Sequence, residues 1–363
     1  MDPVLHSPLR RITQTAFALA ALGPALALVA CGPNRGPEVV AADGVLCDLS
    51  QRLAGSDLQV ACLLQPGDDP HQFHLTPQQS QQLKGAQLVL INGYGLTPAL
   101  EKQARAVAVA ERAVPNSPKL EEPAGTHGEG LERSKPDADN HPEEGHTEEG
   151  PREEGHREEG HGHGDRDPHV WHDPAQASAM VRLVAQQLET LKPQASQRIA
   201  SRAAAMVAVL QQLDRWNRLQ FATIPAPPSP LATSHRAFAS LARAYGLREL
   251  PVVDSLSSSQ SLRPQAFAAV LAQLKRDKVT TLFAETLPAS KSLQRISTLS
   301  GVPIAPAPLV ADGLAKAESP QSTGASSLVG TLTANTCLIV NGLKGRCDQA
   351  GQRRLGQQWA AIQ

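Results

Sequence analysis

The sequence predicts an α/β protein of two doubly wound parallel-sheet domains that a long, rigid helix joins. Short apolar runs alternate with amphipathic helical segments in both halves of the chain, a pattern typical of parallel sheets. Between the halves, one long helical pattern suits a rigid connection rather than a flexible linker. A segment rich in Pro, Gly, Glu and His predicts a disordered loop at 115–165. We therefore expect domains at 38–190 and 223–363, with the connecting helix at 193–222.

Apolar periodicity places the elements in order. In the first half it predicts strands at 39–42, 58–64, 86–93 and 107–114, and helices at 45–54, 77–83, 96–106 and 175–191. Thr76 followed by Pro77 is typical of an N-cap with proline at the first helical position. The second half predicts strands at 230–233, 250–254, 280–284 and 302–307. Its helices are expected at 236–245, 264–275, 289–299 and 326–343, the last before a turn at 344–347.

The N-terminus predicts an export signal. Arg10 and Arg11 precede an apolar stretch at 12–30, and Cys31 follows directly after Leu-Val-Ala. This order favours lipidation of Cys31 over a plain signal peptide or a transmembrane anchor. We expect residues 1–31 to be the signal and anchor, and the protein to lie in the periplasm or on the outer face of the cytoplasmic membrane. No later segment is apolar for long enough to span a bilayer.

Four cysteines remain after Cys31, and an even number in an exported chain favours disulfides. Of three possible connectivities, the short-loop solution pairs Cys47 with Cys62 and Cys337 with Cys347. A zinc–thiolate cluster is the alternative, but the chain lacks the close Cys-x-x-Cys pairs that such sites usually show.

The charge of the chain is unevenly distributed. Residues 121–165 hold 15 acidic and 4 basic side chains, a local charge of −11, so the remainder carries +10 of the total of −1. No Lys/Arg cluster is interleaved with aromatic residues, which argues against a nucleic-acid partner.

Residues able to bind a metal follow the predicted strands. His71, His235, Glu285 and Asp312 each come after one, and ligands of open parallel sheets bind outside the carboxyl ends of the strands. Two such sheets facing each other would bring these residues together with His169 in the cleft between the domains. Three imidazoles and one carboxylate suit Zn²⁺ and tolerate Mn²⁺, Co²⁺ or Cu²⁺, whereas Ca²⁺ and Mg²⁺ prefer oxygen ligands.

Four motifs then follow one another along the chain: Gly67-Asp68-Asp69-Pro70-His71-x-Phe73, Asn92-Gly93-Tyr94-Gly95-Leu96, Asp167-Pro168-His169-Val170-Trp171-x-Asp173-Pro174 and Ser234-His235-x-Ala237-Phe238. Together they resemble the substrate-binding lipoproteins of metal ABC transporters, the high-affinity zinc/manganese uptake family. The resemblance implies that His71, His169 and His235 are metal ligands and that a membrane permease is the partner. It also implies zinc, because members with histidine at the third position bind zinc and those with glutamate bind manganese.

The remaining site residues carry less specific signals. Asp312 matches the aspartate that many members use as a fourth ligand, and a helix-capping or solvated role is the alternative. Glu285 is expected either to orient an imidazole or to be a surface acid. We interpret His74 and His172 as polar loop residues, although His172 stands where an apolar residue is expected. Trp171 is expected to pack under the site.

Six further histidines lie in the predicted disordered loop, where glycine separates them: His127, His141, His146, His156, His161 and His163. We expect them to capture metal weakly near the cleft; a solvated segment with incidental metal affinity is the alternative.

The sequence thus predicts a monomeric, non-enzymatic Zn²⁺-binding protein, with Mn²⁺ as a possible ion. A metal-dependent adhesin or a zinc-buffering lipoprotein is an alternative that the resemblance allows. A zinc hydrolase is a third, but no general base such as that of a His-Glu-x-x-His helix is evident.

Overall fold

Two separate parallel sheets form the framework of this computed structural model, which describes residues 36–103, 105–120, 166–252, 264–316 and 326–363. The predicted export signal with Cys31 lies outside these residues, and so do 121–165 with their six histidines. Of the helices in the described ranges, none is both long and apolar enough to cross a membrane.

The first sheet contains four parallel strands: β1 Val39–Ala41, β2 Val60–Cys62, β3 Leu88–Ile91 and β4 Ala106–Ala108. Their order is β2-β1-β3-β4. Alternate side chains of β1 enter different cores, because successive residues of a strand point to opposite faces. Val39 and Ala41 belong to one core cluster and Val40 to another. The sheet is therefore covered on both faces, as the predicted doubly wound arrangement requires.

Four helices accompany this sheet: α1 Gly44–Ala54, α2 Pro77–Gly85, α3 Val109–Ala113 and α4 Pro174–Leu191. The predicted N-cap of α2 is confirmed, since Thr76 and Gln79 form a reciprocal capping box and Pro77 occupies the first position. Asp43 caps α1 by accepting from the Leu46 N–H at 2.9 Å.

The predicted helix at 96–106 is wrong, since the structure has a 3-10 turn at Pro98–Leu100 there. The predicted strand at 107–114 is present but shorter, because β4 ends at Ala108 and α3 begins at Val109. The alternating Val and Ala residues near 107–110 fit either element. Glu111, in the first turn of α3, accepts from the Tyr94 N–H at 2.5 Å and so holds the loop at 93–95, where Gly93, Tyr94 and Gly95 all have positive φ.

The second sheet contains three parallel strands: β5 Leu231–Thr233, β6 Glu249–Pro251 and β7 Leu282–Phe283, in the order β6-β5-β7. The fourth strand predicted at 302–307 is wrong, because only a single bridge joins Leu282 to Ile304. Pro303 and Pro306 flank that bridge, and proline cannot donate a ladder hydrogen bond.

Six helices complete the described fold: α5 Ser196–Phe221, α6 Ala239–Tyr245, α7 Pro264–Arg276, α8 Lys291–Ser300, α9 Leu328–Gly342 and α10 Gln349–Ala360. The helix α10 was not predicted from the sequence, because its buried apolar residues are only Leu355 and Trp359. The predicted long connecting helix is α5. It packs along the core around Leu46 and Trp171 (the main N-terminal core), and its last residue, Phe221, joins the core around Phe238 and Phe283 (the C-terminal core).

α9 spans the same two cores. Leu328 and Leu332 pack in the main N-terminal core, whereas Ile339 and Val340 pack in the C-terminal core. The chain therefore crosses between the two sheets along two helices. Both helices were predicted from the sequence, but only α5 was predicted as the connection.

The short-loop disulfide pairing is confirmed. Cys47 of α1 bonds to Cys62 of β2, and Cys337 of α9 bonds to Cys347 before α10, with Cα–Cα distances of 5.5 and 5.1 Å. All four cysteines are thereby engaged, so the alternative zinc–thiolate cluster is excluded.

Residues 115–120, the described part of the predicted disordered loop, are ordered and lie beside the segment that begins at Arg166. Lys119 and Arg166 form an antiparallel bridge, and the Asp167 N–H donates to the Pro118 carbonyl at 2.8 Å. The segments that flank residues 121–165 therefore lie next to each other, immediately before His169.

Candidate metal centre

Three imidazoles and one carboxylate meet between the two sheets. One donor atom from each of His71, His169, His235 and Asp312 lies within 4.8 Å of the others. Asp312 Oδ1 is 2.8 Å from His169 Nε2 and 3.3 Å from His71 Nε2, and Asp312 Oδ2 is 3.6 Å from His235 Nε2. The structure therefore brings together the four residues that the sequence predicts as ligands, with every Nε2 facing the carboxylate.

His71 and His169 reach the cluster from two copies of one local turn. Each belongs to an Asp-Pro-His segment, in which proline fixes φ and the aspartate side chain accepts from the histidine N–H two residues on. Asp69 accepts from His71 and Asp167 from His169, both at 2.9 Å. Local hydrogen bonds therefore position both His71 and His169.

His235 and Asp312 lie on loops of the C-terminal half. His235 follows β5, and its N–H donates to Glu285 Oε1 at 3.2 Å. Asp312 lies where the chain passes from Leu309 in the C-terminal core to Leu314 in the main N-terminal core. Gly313 has a φ of 110°, a conformation that favours glycine, and so permits this turn directly after the carboxylate.

Two carboxylates orient the rings from behind. Asp167 Oδ1 lies 2.9 Å from His169 Nδ1, and Glu285 Oε2 lies 2.6 Å from His235 Nδ1. The Asp167 carboxylate forms a hydrogen bond with Nδ1 of His169, which holds the proton there and leaves Nε2 free to coordinate. Glu285 thus takes the orienting position that was one of its two predicted roles. Asp167 was not predicted as a site residue, although its place two residues before the histidine, as in Asp69-Pro70-His71, was a signal.

Burial and charge shift the protonation of the cluster. The side chains of His169 and His235 are 0% exposed, His71 6% and Asp312 19%. Burial lowers the pKa of His169, but hydrogen bonds to Asp167 and Asp312 outweigh it and raise the pKa to about 9. Burial likewise lowers the pKa of His235, and the charges of Asp312 and Glu285 raise it well above its ordinary value.

The cluster's carboxylate shifts in the opposite direction. Burial raises the pKa of Asp312, but the charge of His235 and hydrogen bonds from the imidazoles hold it well below the ordinary value. In the metal-free site, protonated imidazoles therefore balance Asp312, and an incoming cation must displace those protons.

The other predicted site residues are either buried beside the cluster or exposed away from it. Trp171 is buried, with its ring centroid 5.4 Å from that of His169, so it packs under the site as predicted. His74 is exposed and lies outside the cluster. The interpretation of His172 as a polar loop residue is wrong: it is 1% exposed, because its ring packs 4.6 Å from that of Phe238.

Two parallel sheets linked by a long helix, with this cluster between them, define a metal-binding protein of the substrate-binding class that serves ABC transporters. Comparison with known families agrees. The chain belongs to the ZnuA family, zinc-uptake complex component A, periplasmic, whose model matches residues 39–342.

Named relatives differ in their metal. The chain is 26% identical over 268 residues to the zinc-binding protein TroA of Treponema pallidum, covering 72% of this chain and 73% of that protein. It is 23% identical over 280 residues to the manganese ABC transporter substrate-binding lipoprotein PsaA of Streptococcus pneumoniae, covering 77% of this chain and 81% of that one.

Solved structures show the same fold. The periplasmic zinc-binding protein TroA from Treponema pallidum superposes with a TM-score of 0.66 at 24% identity. Fe(III)-bound YtgA from Chlamydia trachomatis superposes with a TM-score of 0.67 at 20% identity. Each alignment covers 85% of this chain and 99% of the other.

Proposed function

We propose that the protein captures Zn²⁺ in this cleft, outside the cytoplasm, and delivers it to the membrane permease of an ABC transporter. The observation that carries the proposal is the third imidazole, His235, which completes a set of three nitrogen donors and one carboxylate. Zinc is bound by four such ligands in tetrahedral geometry. The proposed ligands are Nε2 of His71, His169 and His235 together with the carboxylate of Asp312.

Chemistry favours zinc over the other metals that relatives are named for. Divalent manganese and iron lie below zinc in the affinity series for a common set of ligands, and manganese suits carboxylate and other oxygen donors. Three buried imidazoles against one carboxylate therefore favour Zn²⁺.

A set of four protein donors also supports a binding protein rather than a hydrolase. A catalytic zinc keeps one position open for the water that it activates. Here Asp312 lies within reach of all three imidazoles and would fill that position. We therefore propose that the ion is cargo and that the protein is not an enzyme.

The sequence supports the location and the accessory loop. We propose that a lipid on Cys31 anchors a monomer at the outer face of the cytoplasmic membrane, and that the histidines of 121–165 capture zinc weakly near the cleft. Deleting 128–164 should then leave one tight zinc site in a calorimetric titration. Loss of that site on deletion would contradict the ligand assignment, and many weak ions without a tight one would favour a buffering protein.

The substitution His235→Glu tests the choice of metal. It exchanges an imidazole for a carboxylate, so we expect the affinity ratio of zinc to manganese to fall by at least about tenfold. Competition between Zn²⁺ and Mn²⁺ for the wild-type and variant proteins measures this ratio, with His74→Glu as the control. Wild-type protein that prefers Mn²⁺ would overturn the proposed function.

A further inference from the structure

A fourth histidine, besides the three of the cluster, lies buried beside the loop that carries Asp312. His172 ends the 3-10 turn Val170–His172, three residues after His169. Its Nε2 lies 3.0 Å from the carbonyl oxygen of Ala311, and its ring packs between those of Trp171 and Phe238, with centroid distances of 5.5 and 4.6 Å. The ring is therefore fixed in place with one nitrogen facing the residue before Asp312.

The chemistry of this contact identifies the donor. A carbonyl oxygen can only accept a hydrogen bond, so Nε2 of His172 carries a proton and donates to Ala311. Nδ1 is buried without a hydrogen-bond partner in the described part of the chain.

Two residues of α9 hold the same loop from another side. The Asn335 side chain accepts from the Val310 N–H at 3.0 Å and donates to the Val310 carbonyl at 2.7 Å. Thr331 Oγ1 accepts from the Ala315 N–H at 3.0 Å. The bond from His172 differs from these because it comes from the turn that also carries His169. It therefore links the turn that begins at His169 to the residue directly before Asp312.

We propose that His172 is a positioning residue for Asp312, which by its hydrogen bond to the Ala311 carbonyl fixes the carboxylate against His169 and slows release of the bound ion. This rests on the proposed function, since it takes Asp312 as a ligand. An apolar side chain would fill the same space but leave the buried carbonyl of Ala311 without this donor. The loop would then be held less firmly. Groups that orient metal ligands typically change metal affinity 10- to 100-fold when they are removed.

Three substitutions separate hydrogen bonding from packing. His172→Leu removes the donor; His172→Gln places an amide nitrogen near the position of Nε2; and His172→Asn places one near Nδ1, which does not face Ala311. The exposed His74→Leu is the control. Zinc affinity and the chelator-driven rate of zinc release are measured for each protein, with the melting temperature of the metal-free form.

We expect the Leu and Asn variants to bind zinc about 10- to 100-fold more weakly, mainly through faster release, while the Gln variant and the control stay within about threefold of wild type. If His172→Leu does not fold, the difference between Gln and Asn decides. Equal loss in Gln and Asn, matched by equal loss of melting temperature, would show a packing role and overturn the proposal. Zinc release from the His172→Leu variant at the wild-type rate would also overturn the proposal. Wild-type protein that binds no zinc would instead refute the proposed function.

Discussion

At the residue scale, the site depends on pairs in which a carboxylate holds the rear nitrogen of an imidazole. Asp167 is held at its other oxygen as well, because Oδ2 accepts from the N–H and hydroxyl of Ser240 at 3.2 and 3.1 Å. A side chain held at both oxygens cannot turn away from His169. The direction of the His169 ring, and the nitrogen that keeps its proton when a metal binds, are therefore set before the metal arrives.

Asp167→Asn should weaken zinc binding about 10- to 100-fold. The amide keeps the size of the side chain but removes the charge that makes the ring a better donor. A competition titration with a chromophoric chelator measures the loss. Asp57→Asn is a matched control, because it removes a carboxylate that pairs with Arg198 and Arg202 of α5. Unchanged affinity in Asp167→Asn would contradict an orienting role.

Zinc binding should release protons at pH 7.5. His169 has a pKa of about 9 in the metal-free protein, so it is protonated below that value and zinc must displace the proton. Affinity should therefore fall as pH falls below about 9, roughly tenfold per pH unit for each proton displaced. Calorimetry in two buffers of different ionisation enthalpy counts the protons. Heats that do not depend on the buffer would show that the imidazoles were already neutral.

At the element scale, local signals in the sequence predicted what local contacts determine. The capped start of α2 depends on residues within three positions of one another, and it formed as expected. The Asp-Pro-His turns depend on equally local hydrogen bonds. The rule that ligands gather at strand ends placed His235 and Asp312, although the strand predicted before Asp312 is a single bridge.

Elements that depend on distant contacts escaped prediction. Around 96–114 the pattern of small and apolar residues did not distinguish helix from strand, and the contact between Glu111 of α3 and Tyr94 joins residues 17 positions apart. The helix α10 is held by Trp359, whose indole N–H donates at 2.8 Å to Asp48, a residue more than 300 positions away. The role of His172 could not be predicted, because its partner Ala311 lies 139 positions along the chain.

The disulfide between α1 and β2 should stabilise the fold measurably. It closes a loop of 15 residues, so Cys47→Ser with Cys62→Ser should lower the free energy of unfolding by about 3 kcal/mol in the chain-entropy model. The bond between Cys337 and Cys347 spans 10 residues and should contribute slightly less. Denaturant titrations of the metal-free proteins measure both losses. A double variant as stable as the wild type would show that loop closure does not stabilise this fold.

At the scale of the whole molecule, the metal cluster draws on both sheets and on the segment that passes between them. His71 and His169 come from the N-terminal half, His235 from the C-terminal half, and Asp312 from the crossing between the two cores. α5 and α9 both span those cores, so any change in the relative position of the sheets must act through two helices as well as the site. The predicted domain boundaries at 190 and 223 stay a prediction.

Calorimetric titration of Zn²⁺ into the chain without residues 1–31 shows whether the cleft binds the ion, with His169→Ala and the exposed His74→Ala beside the wild type. We expect one tight zinc ion per chain, lost in His169→Ala and retained in His74→Ala. Several weak binding events, equal in all three proteins, would contradict this expectation and assign zinc binding to residues outside the cleft.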